Sequence, residues 1–222
     1  MKYLSIVCAL FLLIGCQGKK NNNPDKRLQD KEVPDNFDIG EMKDGTFTNK
    51  FFDFSFQYNE EWDIQTQEEL EELMDLGSEM VSGGDQSVKA SMEASKVRSA
   101  QHFGAYKYEY GSLVDYNPSI MIISENIKGA DIVYGDEYLE ILREMWPNMQ
   151  TDIRQIGTIQ ETNLGGKKFA VMEAEMKVYG IPVRQKYYCY VMKGFALGII
   201  TSFVDQDQED EMSQVIRSLR FK

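Results

Sequence analysis

Three strand patterns in direct succession constrain the fold of this chain more than any other feature. The first covers about 167–178 and places alternate apolar residues on one face: Ala170, Met172, Ala174, Met176 and Val178. The turn Gly180-Ile181-Pro182 leads to a second strand over 183–192, and Lys193-Gly194 leads to a third over 195–203. Because short turns join antiparallel neighbours, the pattern predicts an antiparallel meander.

Further strands extend this sheet. A strand near 155–162 precedes the meander through the turn Leu164-Gly165-Gly166. Ser119–Ile127 carries apolar residues on both faces, which is typical of a strand in the middle of a sheet. An opening strand has alternate aromatic residues at Phe52, Phe54, Phe56 and Tyr58. Residues 85–101 show no firm pattern and are expected to be a short helix or a loop.

Three helices are predicted between and after these strands. Thr66 and Glu69 form a capping-box pattern for a helix that reaches about Val81. Asp136 is expected to cap a second helix, which Pro147 ends. The last helix has an apolar face at Met212, Val215, Ile216 and Leu219. Together these elements predict an α+β domain in which helices flank both faces of an antiparallel sheet.

The composition limits what this domain does. Of 222 residues, 42% are hydrophobic, which is sufficient for a substantial core. The chain has 36 acidic and 24 basic residues, and the resulting net charge of -12 excludes phosphate-backbone recognition, so no nucleic-acid partner is expected. No linker or internal repeat interrupts residues 46–222, and they are expected to form a single domain.

The first residues form a secretion signal. Lys2 is followed by an apolar run from Leu4 to Ile14, which is too short to span a bilayer and typical of a signal-peptide core. The ending Leu13-Ile14-Gly15-Cys16 resembles the lipobox of bacterial lipoproteins. That resemblance implies cleavage after residue 15, removal of 1–15 as a signal peptide, and lipidation of Cys16. An ordinary signal peptide with an incidental cysteine is the alternative.

The lipoprotein resemblance also sets the expected location. Residues 16–45 are polar, contain two prolines and are expected to be the lipidated cysteine followed by a flexible tether. The lipid on Cys16 would attach the protein to the membrane, which places the protein in the cell envelope. Gln17 rather than Asp follows the cysteine, which by resemblance favours the outer membrane if the source has two membranes. Only Cys189 remains as a thiol in the mature domain.

Short motifs along almost the whole domain resemble the PsbP-like superfamily and small bacterial lipoproteins of uncharacterised function that share its fold. They are Gly45-Thr46-Phe47-Thr48-Asn49, Phe51-Phe52-Asp53-Phe54-Ser55-Phe56, Glu61-Trp62, Asn117-Pro118-Ser119-Ile120, Gly165-Gly166-Lys167, Gln185-Lys186-Tyr187-Tyr188, Lys193-Gly194-Phe195-Ala196-Leu197 and Ser218-Leu219-Arg220-Phe221. The resemblance implies an α/β/α sandwich and a binding role. It carries over no site residue and no cofactor. Asn59-Glu60 stands where the family usually has proline.

Nucleophilic catalysis requires a base beside a serine or cysteine, and the chain has a single imidazole. His102 is the one histidine and follows Ser99 in an unpatterned stretch, so it is expected to be a structural residue. Cys189 lies among bulky strand residues and is expected to be a buried, inert thiol. No catalytic residue is therefore predicted.

Two groups of residues are candidates for ligand contacts. Tyr106, Tyr108 and Tyr110 alternate with other residues and would form an aromatic platform for a peptide or glycan, or simply a core-facing strand. Asp205, Asp207 and Glu209 superficially resemble a calcium loop, but the turn glycine and the distant glutamate are missing. A solvated helix N-terminus explains these acids equally well.

These observations predict a membrane-anchored lipoprotein with a non-catalytic domain that binds an envelope protein, a peptide or a glycan. The alternative is an envelope hydrolase that uses a pair of carboxylates, since acid pairs are defined by their separation in space and not along the chain.

Overall fold

The computed structural model describes Pro34, residues 36–82, Gln86, Lys89, Ala90, Lys96, and residues 98–109, 112–148 and 152–222. The expected signal peptide over 1–15, Cys16, most of the 16–45 tether and Tyr110 lie outside these residues. The strands are β1 Glu41–Lys43, β2 Thr46–Asn49, β3 Phe54–Gln57, β4 Asp63–Ile64, β5 Ser99–Tyr106, β6 Ser119–Asn126, β7 Ile153–Leu164, β8 Lys167–Val178, β9 Ile181–Met192, β10 Phe195–Phe203 and β11 Arg220–Phe221. The helices are α1 Gln67–Ser82, α2 Gly135–Met145 and α3 Gln206–Arg217, with a 3-10 turn at Trp146–Asn148 after α2.

Seven strands form the main sheet, in the order β4-β5-β6-β10-β9-β8-β7. All neighbours are antiparallel, and β7 to β10 form the predicted meander. The strand β6 lies between β5 and β10, and all its residues are buried. This confirms the prediction that a strand with two apolar faces lies inside the sheet. The predicted strand bounds of the meander agree with the structure to within a few residues.

Both faces of the main sheet are covered, and the α+β class is confirmed. On one face, α2 packs through Tyr138, Leu139 and Leu142, beside Leu70 of α1. On the other face lies α3, packed through Met212, Val215 and Ile216. This second face also carries a four-stranded sheet of order β1-β2-β3-β11, which the sequence analysis did not predict. The short strand β11 forms it by pairing with β3 from the far end of the chain.

The aromatic opening strand is shorter than predicted. Its pattern begins at Phe52, but β3 begins at Phe54, because Asp53 adopts a positive φ of 57° that interrupts extended backbone. The backbone N–H of Phe52 donates to Asn49 Oδ1 at 2.7 Å and closes the turn between β2 and β3. Phe52 is nevertheless fully buried, so the apolar alternation correctly identified a core residue outside the strand.

The helix starts depend on side-chain caps. The capping box predicted for α1 is present: Thr66 N–H donates to Glu69 Oε2 at 2.7 Å, and Glu69 N–H donates to Thr66 Oγ1 at 3.3 Å. The prediction that Asp136 caps α2 is wrong. That helix begins at Gly135, because the Glu137 carboxylate accepts the N–H groups of Val133 and Tyr134 at 2.7 and 3.0 Å.

The domain begins earlier than the expected boundary at Thr46. The strand β1 pairs with β2 in antiparallel register, and the ring of Phe37 lies 5.4 Å from that of Phe195 and 5.0 Å from that of Phe51. The last part of the predicted tether therefore contacts the domain, through the half-buried ring of Phe37 and the backbone pairing of β1. Within the described residues, no helix combines the length and apolarity needed to cross a membrane.

Candidate functional site

A buried histidine joins three parts of the domain. His102 lies on β5 at a register shift between Gln101 and Phe103, and only 2% of its surface is exposed. Its Nδ1 is 2.8 Å from the carbonyl oxygen of Ile39, and its Nε2 is 2.8 Å from Ser124 Oγ on β6. A carbonyl only accepts, so Nδ1 carries the hydrogen. Burial lowers the pKa of the ring to about 4, so near neutral pH the imidazole is neutral and Nε2 accepts from the serine hydroxyl.

Asn49, the last residue of β2, completes this cluster. Its Nδ2 donates to the carbonyl oxygen of Asp38 at 2.8 Å and lies 3.3 Å from His102 Nδ1. The rings of Phe37 and Phe52 cover the imidazole at centroid distances of 5.8 and 5.4 Å. The cluster thus fastens the N-terminal segment and the small sheet to the main sheet.

The contact between Ser124 Oγ and His102 Nε2 has the geometry of a nucleophile and its base. Ser124 is completely buried, however, and aromatic rings close the site on the side of His102. Burial lowers the pKa of His102 to about 4, against the opposing effects of the Ile39 carbonyl and the Asp38 charge. A base with this pKa and no access to solvent does not serve a substrate, so the pair is structural.

The lowered pKa of His102 makes the domain sensitive to acid. An unfolded histidine titrates near 6.5, so its contribution to stability is complete above that pH and is lost as the pH falls toward 4. From this lowering of the His102 pKa we expect a loss of roughly 2 kcal/mol between pH 8 and pH 5 from this residue. Urea unfolding at both pH values measures the total loss.

The matched variant is His102→Asn, which keeps a donor at the Nδ1 position toward Ile39 but does not titrate. Its free energy of unfolding should fall less steeply between pH 8 and pH 5 than that of the wild-type protein, because the asparagine does not take up a proton. Identical slopes for the two proteins would show that His102 does not cause the acid sensitivity.

A second buried polar contact lies under α2. Tyr138 is fully buried and donates its hydroxyl hydrogen to Glu125 Oε2 on β6 at 2.6 Å. Burial, together with the neighbouring Glu125 charge, raises the pKa of Tyr138 well above its usual value. The adjacent Gly135 is required for this packing, because a Cβ there would lie 2.3 Å from the carbonyl oxygen of Cys189. These contacts hold α2 directly on the sheet.

Cys189 itself lies on β9 and is fully buried. Burial raises the pKa of its thiol, and the charges of Glu125 and Asp136 raise it further. We expect no reaction of this thiol with 5,5′-dithiobis(2-nitrobenzoate) in the native domain at pH 8 and complete reaction in denaturant. Rapid labelling of the native protein would contradict the buried position.

Of the three candidate platform tyrosines, the two that the structure describes, Tyr106 and Tyr108, do not share a surface. Tyr106 is the last residue of β5 and is only 3% exposed. Tyr108 lies beyond the strand end and is 39% exposed, and Asn117 holds its backbone N–H and carbonyl at 3.0 and 2.7 Å. The strand alternation therefore stops before Tyr108, while Tyr110 is outside the described residues.

The candidate cation ligands are placed at the start of α3. Asp205 is the N-cap and accepts the Gln208 N–H at 2.9 Å, and Asp207 is an exposed residue of the first turn. Glu209 instead pairs with Lys186 and lies 3.9 Å from the guanidinium of Arg184. In the ranges that the structure covers, no group of His, Cys, Asp and Glu side chains is arranged to hold a metal ion.

The interior around these residues is closely packed. A cavity of about 10 Å³ lies between the main sheet and α3, lined by apolar residues that include Ile120, Val215 and Leu219. A second small void, between α1 and β5, has no room for a water molecule. A cavity needs roughly 10–15 Å³ to hold one water, so neither void admits a substrate.

No family model and no curated protein matches this chain. Among solved structures, it is similar to LpqN, a Mycobacterium tuberculosis protein involved in cell envelope biogenesis, at 16% identity and a TM-score of 0.40 over 55% of this chain and 72% of that one. A Pseudomonas aeruginosa protein of unknown function, PA94, described as a putative regulator, is 12% identical at a TM-score of 0.40 over 48% and 74%. The cyanobacterial PsbP of Synechocystis is 10% identical at a TM-score of 0.47 over 82% and 96%. Structural similarities with such low sequence identities and TM-scores do not assign a function to this chain.

Proposed function

We propose that this protein is a lipid-anchored component of a bacterial cell envelope whose α+β domain acts by binding and not by catalysis. The observation that supports the domain's role is the close packing of its interior among the described residues. The Ser124–His102 pair, which has the geometry of a catalytic contact, is sealed from solvent and holds the fold together. The voids described above are too small for a peptide or a sugar.

The lipid anchor rests on the sequence Leu13-Ile14-Gly15-Cys16 after a short apolar run. Phe37, near the start of the described residues, packs against Phe195 of the domain. About twenty residues therefore lie between Cys16 and the folded domain. A chain of that length reaches at most roughly 70 Å, which keeps the domain near the bilayer.

Exposed apolar side chains offer contact points for an envelope partner. Val133 and Tyr134 are adjacent in the loop before α2 and are 62% and 66% exposed. Aromatic side chains of this kind provide contact area at low entropic cost. The partner would be an envelope protein, a peptide or a glycan.

Photocrosslinking in intact cells tests the binding role. A photoreactive phenylalanine at Tyr134 should give a discrete adduct, whereas the same group at the equally exposed Tyr179, in the β8–β9 turn, provides the matched control. No adduct from either position would contradict a binding role for these side chains. Intact-mass analysis of the purified protein should find a mature chain that begins at Cys16 and carries acyl groups.

A further inference from the structure

The N-terminal segment meets the domain at one end of the main sheet. At this end β6 finishes at Asn126, β9 finishes at Met192, and β8 and β10 begin at Lys167 and Phe195. Phe37 stacks on Phe195, the first residue of β10. We call this the entry end. It comprises residues 127–131, 165–168 and 193–194, together with the β2–β3 turn and the C-terminal residues of the small sheet.

The small sheet adds two segments to the entry end. Lys193 Nζ donates to the carbonyl oxygen of Phe51 at 2.5 Å and to Asp53 Oδ2 at 2.8 Å, which places the β2–β3 turn there. The N–H of Lys222 donates to the carbonyl oxygen of Asp53 at 2.9 Å, so the C-terminus also lies there. The longest strands have twelve residues, so the opposite end of the main sheet, which we call the far end, lies about 40 Å from the entry end.

The two ends carry opposite charge. The bases of the entry end are Lys50, Lys128, Lys167, Lys168, Lys193, Arg220 and Lys222, and its turns and entering segment contain the acids Asp38, Asp53 and Asp131. Lys50 and Lys168 also form exposed ion pairs with Glu41 and Glu161. The acids of the far end are Glu109, Asp115, Asp152, Asp205, Asp207, Glu209, Asp210 and Glu211, against the bases Lys107, Lys177, Arg184 and Lys186. An acidic protein of net charge -12 therefore presents a basic surface where its N-terminal segment enters.

We infer that the entry end is a docking surface for anionic lipid headgroups, so that the anchored domain stands with its strands directed away from the bilayer. This inference rests on the proposed lipid anchor, which determines which end is nearest the membrane. Exposed lysines such as Lys128 and Lys222 would contact the headgroups. Each basic residue near an anionic surface strengthens binding by about fivefold, and the effect is screened by salt. The acidic far end would be repelled and remain available to partners.

The experiment measures which end of the domain contacts the bilayer. The acylated full chain is isolated from membranes and reconstituted into vesicles of phosphatidylglycerol and phosphatidylcholine, with a nitroxide quencher on a fraction of the headgroups. A dye is attached at Asp131→Cys on the entry end or at Asp115→Cys on the far end. The two variants change the charge equally, and the buried Cys189 does not react.

We expect strong quenching of the dye at position 131 and little quenching at position 115. Adding Lys128→Glu, which changes the charge by two, should lower the equilibrium constant for docking by about 25-fold, while the matched far-end variant Lys177→Glu should leave it unchanged. Replacing phosphatidylglycerol by phosphatidylcholine, or raising the salt to 0.5 M, should also reduce the quenching of the dye at position 131.

Two failures are distinguishable. Equal quenching at both positions, or quenching at position 131 that is indifferent to lipid charge, would overturn the docking surface and leave the anchor intact. A full chain that does not float with the vesicles at all would overturn the proposed anchor, and the docking surface with it.

Discussion

Replacing Cys16 by alanine should abolish incorporation of labelled palmitate and release the mature domain from the membrane fraction. The thiol at this position is the acceptor that the lipobox resemblance implies. Each buried methylene contributes about 0.8 kcal/mol, and two or more acyl chains make the association effectively permanent. The acyl chains on Cys16 are the proposed source of the protein's membrane association. The effect should therefore approach a complete loss.

Cys8→Ala is the matched control, since Cys8 lies within the expected signal peptide and would be removed with it. That variant should keep both the label and the membrane fraction. The palmitate label is the decisive measurement, because it reports acylation of Cys16 directly. Palmitate that persists in the Cys16→Ala variant would show that Cys16 is not the acceptor.

The Phe52→Ala variant should lose more stability than any surface substitution. The ring is fully buried at the junction of the N-terminal segment, the small sheet and the main sheet. It lies 4.8 Å from the ring of Phe51, 5.4 Å from that of His102 and 5.7 Å from that of Phe195. Truncating a buried phenylalanine costs about 3–5 kcal/mol, which for a domain of this size lowers Tm by roughly 10 °C. Differential scanning calorimetry measures the change.

Tyr134→Ala is the control for this variant, because it also removes an aromatic ring but from a side chain that is 66% exposed. Its Tm should change by no more than about 2 °C. If both variants melted at the wild-type temperature, the ring of Phe52 would not be part of a cooperative core.

The sheet was largely predictable because its signals are local. Strands β8, β9 and β10 are joined by turns with glycine at positive φ, at Gly180 and Gly194, and such turns are visible in sequence. The apolar residues on both faces of β6 likewise indicated its position inside the sheet. The strand β11 was missed because two residues carry no periodicity, and its partner β3 lies more than 160 residues earlier.

The candidate site was less predictable. His102 was recognised as the one imidazole, but its partners Ser124, Asn49 and Ile39 lie 22, 53 and 63 residues away. No spacing rule connects positions so far apart. The interpretation of His102 as structural agrees with its burial, whereas the strand pattern through Tyr108 was interrupted by a turn that depends on Asn117.

By itself, the sequence determined the class of the domain, the meander, the amphipathic helices and the expectation of a lipid anchor, because each depends on the order and spacing of neighbouring residues. Only the tertiary structure decided that a second sheet covers the main one, that Ser124 and His102 form a sealed contact, and that the basic residues gather where the N-terminal segment enters. These features arise from contacts between distant segments. Burial, hydrogen bonding and surface charge there depend on which strand ends meet in space, and strand pairing across long loops is not encoded in any local pattern.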